Sequence, residues 1–395
     1  MPKPTGTADY SRSRLADYSE GVRAERGSMD LPFLLLTLLL LGIGVVMVLS
    51  ASFARAYYDT TGETGGNPSY YFTRQIMFAM GGVGTAYLFS RLPVEFFRKH
   101  SMFLLLVALV LLAVVPFVGV TVNNATRWIN LGFTTFQPSE IAKLAVVLAF
   151  STMICKYKDK MSKAKTMLPF LAILGVITAL LLLEPHMSAI IIIILLGAVM
   201  LFIGGVKLYW FIGGVGALGL LGGLAMILPT LSHVRERIDV WLHPLEDKTG
   251  DAWQVIQSLY AVGSGGLMGL GLGQSRQKYL YLPEEHNDFI FSVISEELGF
   301  IGAALILALF AMLIVRGYYI AMHARSRYGF LVCAGLTTLF AIQVILNVAV
   351  VTNLLPATGI SLPFFSYGGT ALLIQMAEIG VILSISRDIP AKKEL

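Results

Sequence analysis

The sequence is short of charge. Only 13% of its 395 residues are Asp, Glu, Lys or Arg, about half the share carried by a soluble domain. That shortage excludes an ordinary water-soluble enzyme. A net charge of only +5 also gives no broad basic face for nucleic acid, so no nucleic-acid partner is expected. Cysteine is scarcer still. Cys155 and Cys333 are the only two, both in or beside apolar runs, which rules out a disulfide framework. His186, His233, His243 and His286 lack metal-ligand spacing. No internal repeat is visible, which weakens a transporter built from inverted halves. Residues 1–28 carry Arg12, Arg14, Arg23 and Arg26 but no apolar core, so they read as a polar tail and not as a cleaved signal.

What is present is hydrocarbon. Hydrophobic residues make up 56% of the chain, and several runs reach the length of about 18 residues that can cross a bilayer. A backbone in lipid must satisfy its own hydrogen bonds, so these runs are helices. Read in order they give about ten spans: 31–54, 75–91, 101–119, 138–155, 167–184, 186–204, 207–229, 289–315, 328–351 and 368–386. The expected fold is an all-α polytopic membrane protein. Placing both termini in the cytoplasm puts roughly two-thirds of the 29 lysines and arginines on the inner side, as the positive-inside rule requires. The expected organisation is a cytoplasmic tail over 1–28, a membrane region over 29–388 and a second tail over 389–395. One large outward loop, about 230–288, joins spans seven and eight. Trp241, Trp253, Tyr260, Tyr279 and Tyr281 give that loop the look of an ordered element at a membrane interface.

Polar residues that survive in such a chain are candidates for chemistry, because ionisable groups in a bilayer are costly. The first cluster runs from Asn124 through Arg127, Trp128 and Asn130 to Gln137, Pro138, Ser139, Glu140 and Lys143. Pro138 suits a helix start, with Glu140 in the first turn. Glu140 and Lys143, three apart, can pair on one face. That pair is either a plain stabilising contact or the lining of a polar cavity. Arg127 is either an interfacial anchor or a phosphate fork.

The second cluster is Tyr281-Leu282-Pro283-Glu284-Glu285-His286-Asn287-Asp288, followed by Ser292, Glu296 and Glu297 in an apolar span. Asn287 and Asp288 could be an ordinary helix cap. At i, i+4 and i+8, Asp288, Ser292 and Glu296 would instead form one polar stripe. Asp288 and Glu284 could also hold Mg²⁺ or Mn²⁺ with a substrate pyrophosphate. The glycines of 263–273 superficially resemble a nucleotide loop but lack its fingerprint, so close backbone packing is the better reading. The stretch 353–370, with Pro356, Gly359, Pro363, Ser366, Gly368 and Gly369, is irregular backbone at membrane depth. Such backbone persists only where protein buries it or a cavity hydrates it.

Three motifs in order carry a resemblance: Arg127-Trp128-Ile129 with Gln137-Pro138-Ser139-Glu140, then Leu282-Pro283-Glu284 to Asp288-Phe289-Ile290-Phe291, then Leu362-Pro363-Phe364-Phe365-Ser366-Tyr367-Gly368-Gly369. The chain resembles the SEDS family (FtsW, RodA, SpoVE) over its whole membrane region. Gly271 to Lys278 resembles the FtsW/SpoVE branch more than RodA. The resemblance implies a peptidoglycan glycosyltransferase in division or sporulation. It would polymerise lipid II, releasing the undecaprenyl-pyrophosphate carrier of the linked glycan, at the outer face of the cytoplasmic membrane. A class B penicillin-binding protein and other division or sporulation membrane proteins are the implied partners. The essential acid falls on Asp288. Where many members read Gln-Pro-Asp between spans five and six, this chain reads Glu184-Pro185-His186. The expected substrate-binding residues are Arg127, Trp128, Gln137, Glu140, Lys143, Arg237, Glu284, His286, Ser292, Glu296, Glu297 and Ser366. A lipid II flippase and a non-catalytic scaffold for a transpeptidase are the competing readings.

Overall fold

The computed structural model describes residues 27–59, 62, 64–122, 125–132, 134–161, 163–214, 216, 241–244 and 250–389. Its framework is helical: α1 (Leu31–Tyr57), α2 (Tyr70–Arg91), α3 (Val94–Val118), α4 (Pro138–Tyr157), α5 (Ala164–Leu183), α6 (Met187–Ile203), α7 (Gly250–Ser264), α8 (Ile290–Met322), α9 (Arg327–Val351) and α10 (Gly369–Arg387). Seven of the described helices are long and apolar enough to cross a membrane, and α6 is a shorter apolar helix. The chain is a multi-pass membrane protein. Helix α2, at 22 residues, has the length but is interrupted by polar side chains such as Arg74 and Gln75. Of the expected seventh span, 208–214 are helical and most of the remainder lies outside the described residues.

Burial sorts the helices into layers. Nearly every residue of α4, α9 and α10 is covered, whereas α3 and α5 leave large apolar side chains such as Phe103, Leu106, Phe117, Leu168, Leu171 and Leu183 exposed. The first group therefore forms the centre of the bundle and the second its lipid-facing rim. Helix α10 packs chiefly along α2, and the fit depends on small residues. A side chain at Gly82 would strike Met376, and one at Gly380 would strike the backbone of Ala86. Close backbone approach of this kind is how helices gain packing energy where lipid supplies no hydrophobic drive.

Between α3 and α4 the chain forms a small antiparallel sheet, β1 (Val120–Val122), β2 (Ala125–Asn130) and β3 (Thr135–Phe136), in the order β1-β2-β3. Sequence reading gave no strand here. The β-branched Val-Thr-Val run favours one once it can pair, with Val120 opposite Trp128 and Ile129 opposite Phe136. Helix α4 then begins at Pro138, with Gln137 as its N-cap. This agrees with the helix start expected from sequence.

The glycine-rich stretch after α7 is close-packed backbone. At Gly299 (φ 66°) helix α8 breaks, and the chain of 265–271 fills the gap. Leu270 and Gly271 N–H groups donate to Glu296 and Glu297 carbonyls, and Phe300 and Ile301 N–H groups donate to Gly266 and Leu267 carbonyls, all at 2.8–3.1 Å. Any side chain at Gly265, Gly269 or Gly299 would meet main chain. The exchange satisfies backbone groups that the kink would otherwise leave bare in an apolar layer.

Candidate functional site

One large cavity, about 660 Å³, opens where β2, the starts of α2, α4, α6 and α10, the end of α1, and the loops 284–288 and 359–368 converge. This is a usual size for a small-molecule site, but its lining is unusual for a membrane protein. Arg55, Arg74, Arg127 and Lys143 face it together with Glu140, Glu284, Asp288, His186 and His286.

Asp288 is held in place by its main chain. Asn347 of α9 donates from Nδ2 to the Asp288 carbonyl at 2.8 Å and to the Ile360 carbonyl at 2.6 Å. One amide thus ties the acidic loop to the irregular segment after α9. Gly359 closes over the carboxyl. Its φ of +63° suits glycine, and a Cβ there would sit 3.0 Å from Asp288 Oδ2. Neither Asn287 nor Asp288 caps α8; the N-cap is Phe289, which makes no side-chain cap. Among the described residues no side chain is hydrogen-bonded to the Asp288 carboxyl. Burial pushes that carboxyl up to about 7, and the charge of Glu284 pushes the same way, while Arg127 and His286 act against them. Glu284, strained at φ 55°, has Oε2 bonded to Asn287 Nδ2 at 2.6 Å.

Beside it, Glu285 is fully buried and takes two bonds from Arg55, at 2.8 and 3.2 Å. His286 Nδ1 lies 3.7 Å from the same carboxylate. Although burial opposes it, these partners hold Glu285 below the usual carboxylate range. The His286 ring rests against Tyr71 of α2 at 4.7 Å between centroids, and its carbonyl accepts from the Tyr367 N–H at 2.9 Å.

The opposite side is built on β2 and α4. Arg127 donates to the Pro185 carbonyl, and Lys143 and Glu140 pair at 2.8 Å while nearly buried. Gln137 Nε2 lies 3.3 Å from His186 Nε2. The site that departs from the resembled pattern has its own chemistry. Burial raises Glu184 to about 8 against the pull of Arg127, and burial with Arg127 and Lys143 lowers His186 to about 3. Burial thus disfavours charge on both groups, beside Arg127 and the Lys143–Glu140 pair.

Of the residues expected from sequence, Arg127, Trp128, Gln137, Glu140, Lys143, Glu284, His286, Asp288 and Ser366 line this cavity. Ser292, Glu296 and Glu297 do not. Asp288 precedes the helix, so the helical spacing that would align it with Ser292 and Glu296 does not apply. Ser292 bonds Ser258 at 2.8 Å. Glu297 pairs with Lys278 at 2.9 Å and accepts from Ser50 at 2.7 Å. Glu296 accepts from Ser275 Oγ at 2.5 Å and the Arg276 N–H at 3.0 Å. These carboxylates form a separate polar knot that fastens the 264–278 loop to α8. Arg237 lies outside the described residues. No group of three His, Cys, Asp or Glu suited to a metal ion occurs among the described residues, so Asp288 and Glu284 remain a pair. Sequence reading missed Arg55, Tyr71, Arg74 and Asn347. Each sits on a helix whose polar residues resemble ordinary end-of-span residues until the fold turns them inward.

The sequence matches the FtsW/RodA/SpoVE family model, described as cell cycle protein, over residues 31–390. Stage V sporulation protein E of Bacillus subtilis is 40% identical, over 92% of this chain and 98% of that protein. A "Probable peptidoglycan glycosyltransferase FtsW" of Trichlorobacter lovleyi is 39% identical over 90% and 93%. Among solved structures, a chain from work on a peptidoglycan synthase complex that coordinates polymerization and crosslinking superposes with a TM-score of 0.76. It is 28% identical and covers 91% of this chain and 98% of that one.

Proposed function

Because the chain belongs to the FtsW/RodA/SpoVE family of cell cycle proteins, we propose that it is a peptidoglycan glycosyltransferase of division or sporulation, with Asp288 as its general base. The supporting observation is a carboxyl held near neutrality in a cavity lined with cations. A base is most effective when its pKa lies close to the working pH.

The donor sugar leaves a lipid pyrophosphate, so no general acid is needed. Glycosidases need one because their leaving group is an alkoxide. The acceptor sugar hydroxyl gives its proton to Asp288 as its oxygen attacks the donor's anomeric carbon. A glycosidic C–O bond forms with inversion. The anomeric C–O bond to phosphate breaks, and its electron pair leaves on the lipid pyrophosphate. Arg127 and Lys143 neutralise that charge. The cavity faces outward from the cytoplasmic membrane, where lipid II presents its sugars. A class B penicillin-binding protein beside it crosslinks the product, in keeping with the synthase complex of similar fold.

The test is lipid II polymerisation by purified protein. Wild type should yield glycan chains, and Asp288→Ala should abolish them without lowering the unfolding temperature. Lipid II crossing vesicles without chain formation would instead identify a flippase. Full polymerisation by Asp288→Ala would remove Asp288 from the mechanism.

A further inference from the structure

Two peptide planes flank the Cα of Asp288, and each is pinned by a different side chain. The plane before it contains the Asn287 carbonyl, which accepts from Ser366 Oγ at 2.8 Å. The plane after it contains the Asp288 carbonyl, held by Asn347 Nδ2 at 2.8 Å. One residue earlier, the His286 carbonyl accepts from the Tyr367 N–H at 2.9 Å. Peptide units are rigid, so fixing both planes fixes φ and ψ of Asp288. The direction of its side chain follows.

The donors of both side chains are fully committed. Ser366 gives its one hydrogen to Asn287, while its oxygen accepts from the Leu362 N–H at 2.7 Å. Asn347 gives its two Nδ2 hydrogens to the Asp288 and Ile360 carbonyls. The second of these bonds seats the turn at Gly359 against the carboxyl. Asn347 is 0% exposed, out of reach of anything in the cavity. Its Oδ1 has no partner among the described residues. A buried acceptor left unbonded lowers stability, so stability alone gives no reason for an asparagine here.

Hydrogen bonds to a carboxylate favour its ionised form and weaken it as a base. Holding Asp288 by its main chain places the group without that loss. We propose that Asn347 and Ser366 are positioning residues for the general base. They aim Asp288 through the two peptide units beside it and leave its carboxyl oxygens free for the acceptor hydroxyl. This rests on the glycosyltransferase reading, in which Asp288 takes that proton. Ser366 lines the cavity, yet its hydrogen is spent on Asn287, so it acts on Asp288 and not on substrate.

The experiment measures kcat and KM for lipid II, per folded molecule, in wild type, Ser366→Ala, Ser366→Thr and Asn347→Leu. Moving a reacting group by about 1 Å can cost roughly a hundredfold in rate. Asn347→Leu frees the plane after Asp288 and the Gly359 turn together, and should lower kcat by about that factor. Ser366→Ala frees one plane and should lower kcat by roughly tenfold. Both should keep KM within about twofold of wild type. Ser366→Thr retains the hydroxyl and should recover most of kcat. Should Asn347→Leu fail to fold, the two Ser366 variants carry the test alone. A purely structural role predicts wild-type kcat per folded molecule in every variant, and that result would overturn the proposal. So would a rise in KM at unchanged kcat, which would make Ser366 a substrate contact. In both cases chain formation by wild type, lost in Asp288→Ala, would leave the glycosyltransferase reading standing. If wild type forms no chains, both fall.

Discussion

Replacing Lys278 by methionine keeps the length of the side chain but removes its ammonium from the knot that binds the loop to α8. Lys278 and Glu297 are 3% and 0% exposed and pair at 2.9 Å. Removing one partner of a buried pair strands the other charge, at a cost of about 3–5 kcal/mol. Glu297 would keep its bonds from Ser50 Oγ and from the Ser275 N–H at 3.3 Å, so the lower end, about 3 kcal/mol, is expected. Glu297→Gln in the Lys278→Met background deletes the stranded charge yet preserves bonding to Ser50. It should recover at least half of the loss. The assay is thermal and denaturant unfolding of the purified protein in detergent, with both single variants and the double completing a cycle. Because the loop from 279 to 288 leaves this knot directly, residual Lys278→Met activity should fall through kcat. A cost below about 1 kcal/mol for Lys278→Met, or a double variant as unstable as the sum of the singles, would refute the buried-pair reasoning.

Two further outcomes test the site. With Asp288 held up at about 7, the rate should rise tenfold per pH unit below that value and level off above it, since only the ionised carboxyl accepts a proton. Glu284→Gln removes a charge that raises Asp288, so it should move the midpoint to lower pH; an unmoved midpoint would separate the two carboxylates. The same shift has a stability sign. The folded protein keeps the proton that the unfolded chain loses near pH 4, so stability should decline as pH rises from there to about 7, and Asp288→Asn should flatten that slope. Gly359→Ala places a Cβ 3.0 Å from Asp288 Oδ2 at a φ of +63°. A left-handed alanine costs about 1–2 kcal/mol, and moving the carboxyl should lower kcat by roughly a hundredfold; unchanged kcat would show that this contact does not set its position.

The chain by itself determined a good deal. Shortage of charge and long apolar runs fix a helical membrane protein, because lipid leaves the backbone no other way to satisfy its hydrogen bonds. Many bounds of the described spans were legible for the same reason, although α2 and α3 start at Tyr70 and Val94, before the expected 75 and 101, and α8 runs to Met322, past the expected 315. Pro138 at the head of α4 and the Glu140–Lys143 pair three residues apart were legible too. The ordered motifs also placed the chain in its family. Local spacing could not decide which costly carboxylates share a space. Asp288 and Glu296 looked like one stripe, yet one faces a cavity and the other closes a loop, because α8 begins after Asp288. Arg55, Arg74 and Asn347 reach the site from helices far apart in sequence, and no periodicity within one helix reports where its polar face will meet another. That depended on packing: glycines at 44, 82 and 380 let helices and loops approach, and their approach brings charges from five segments around one cavity.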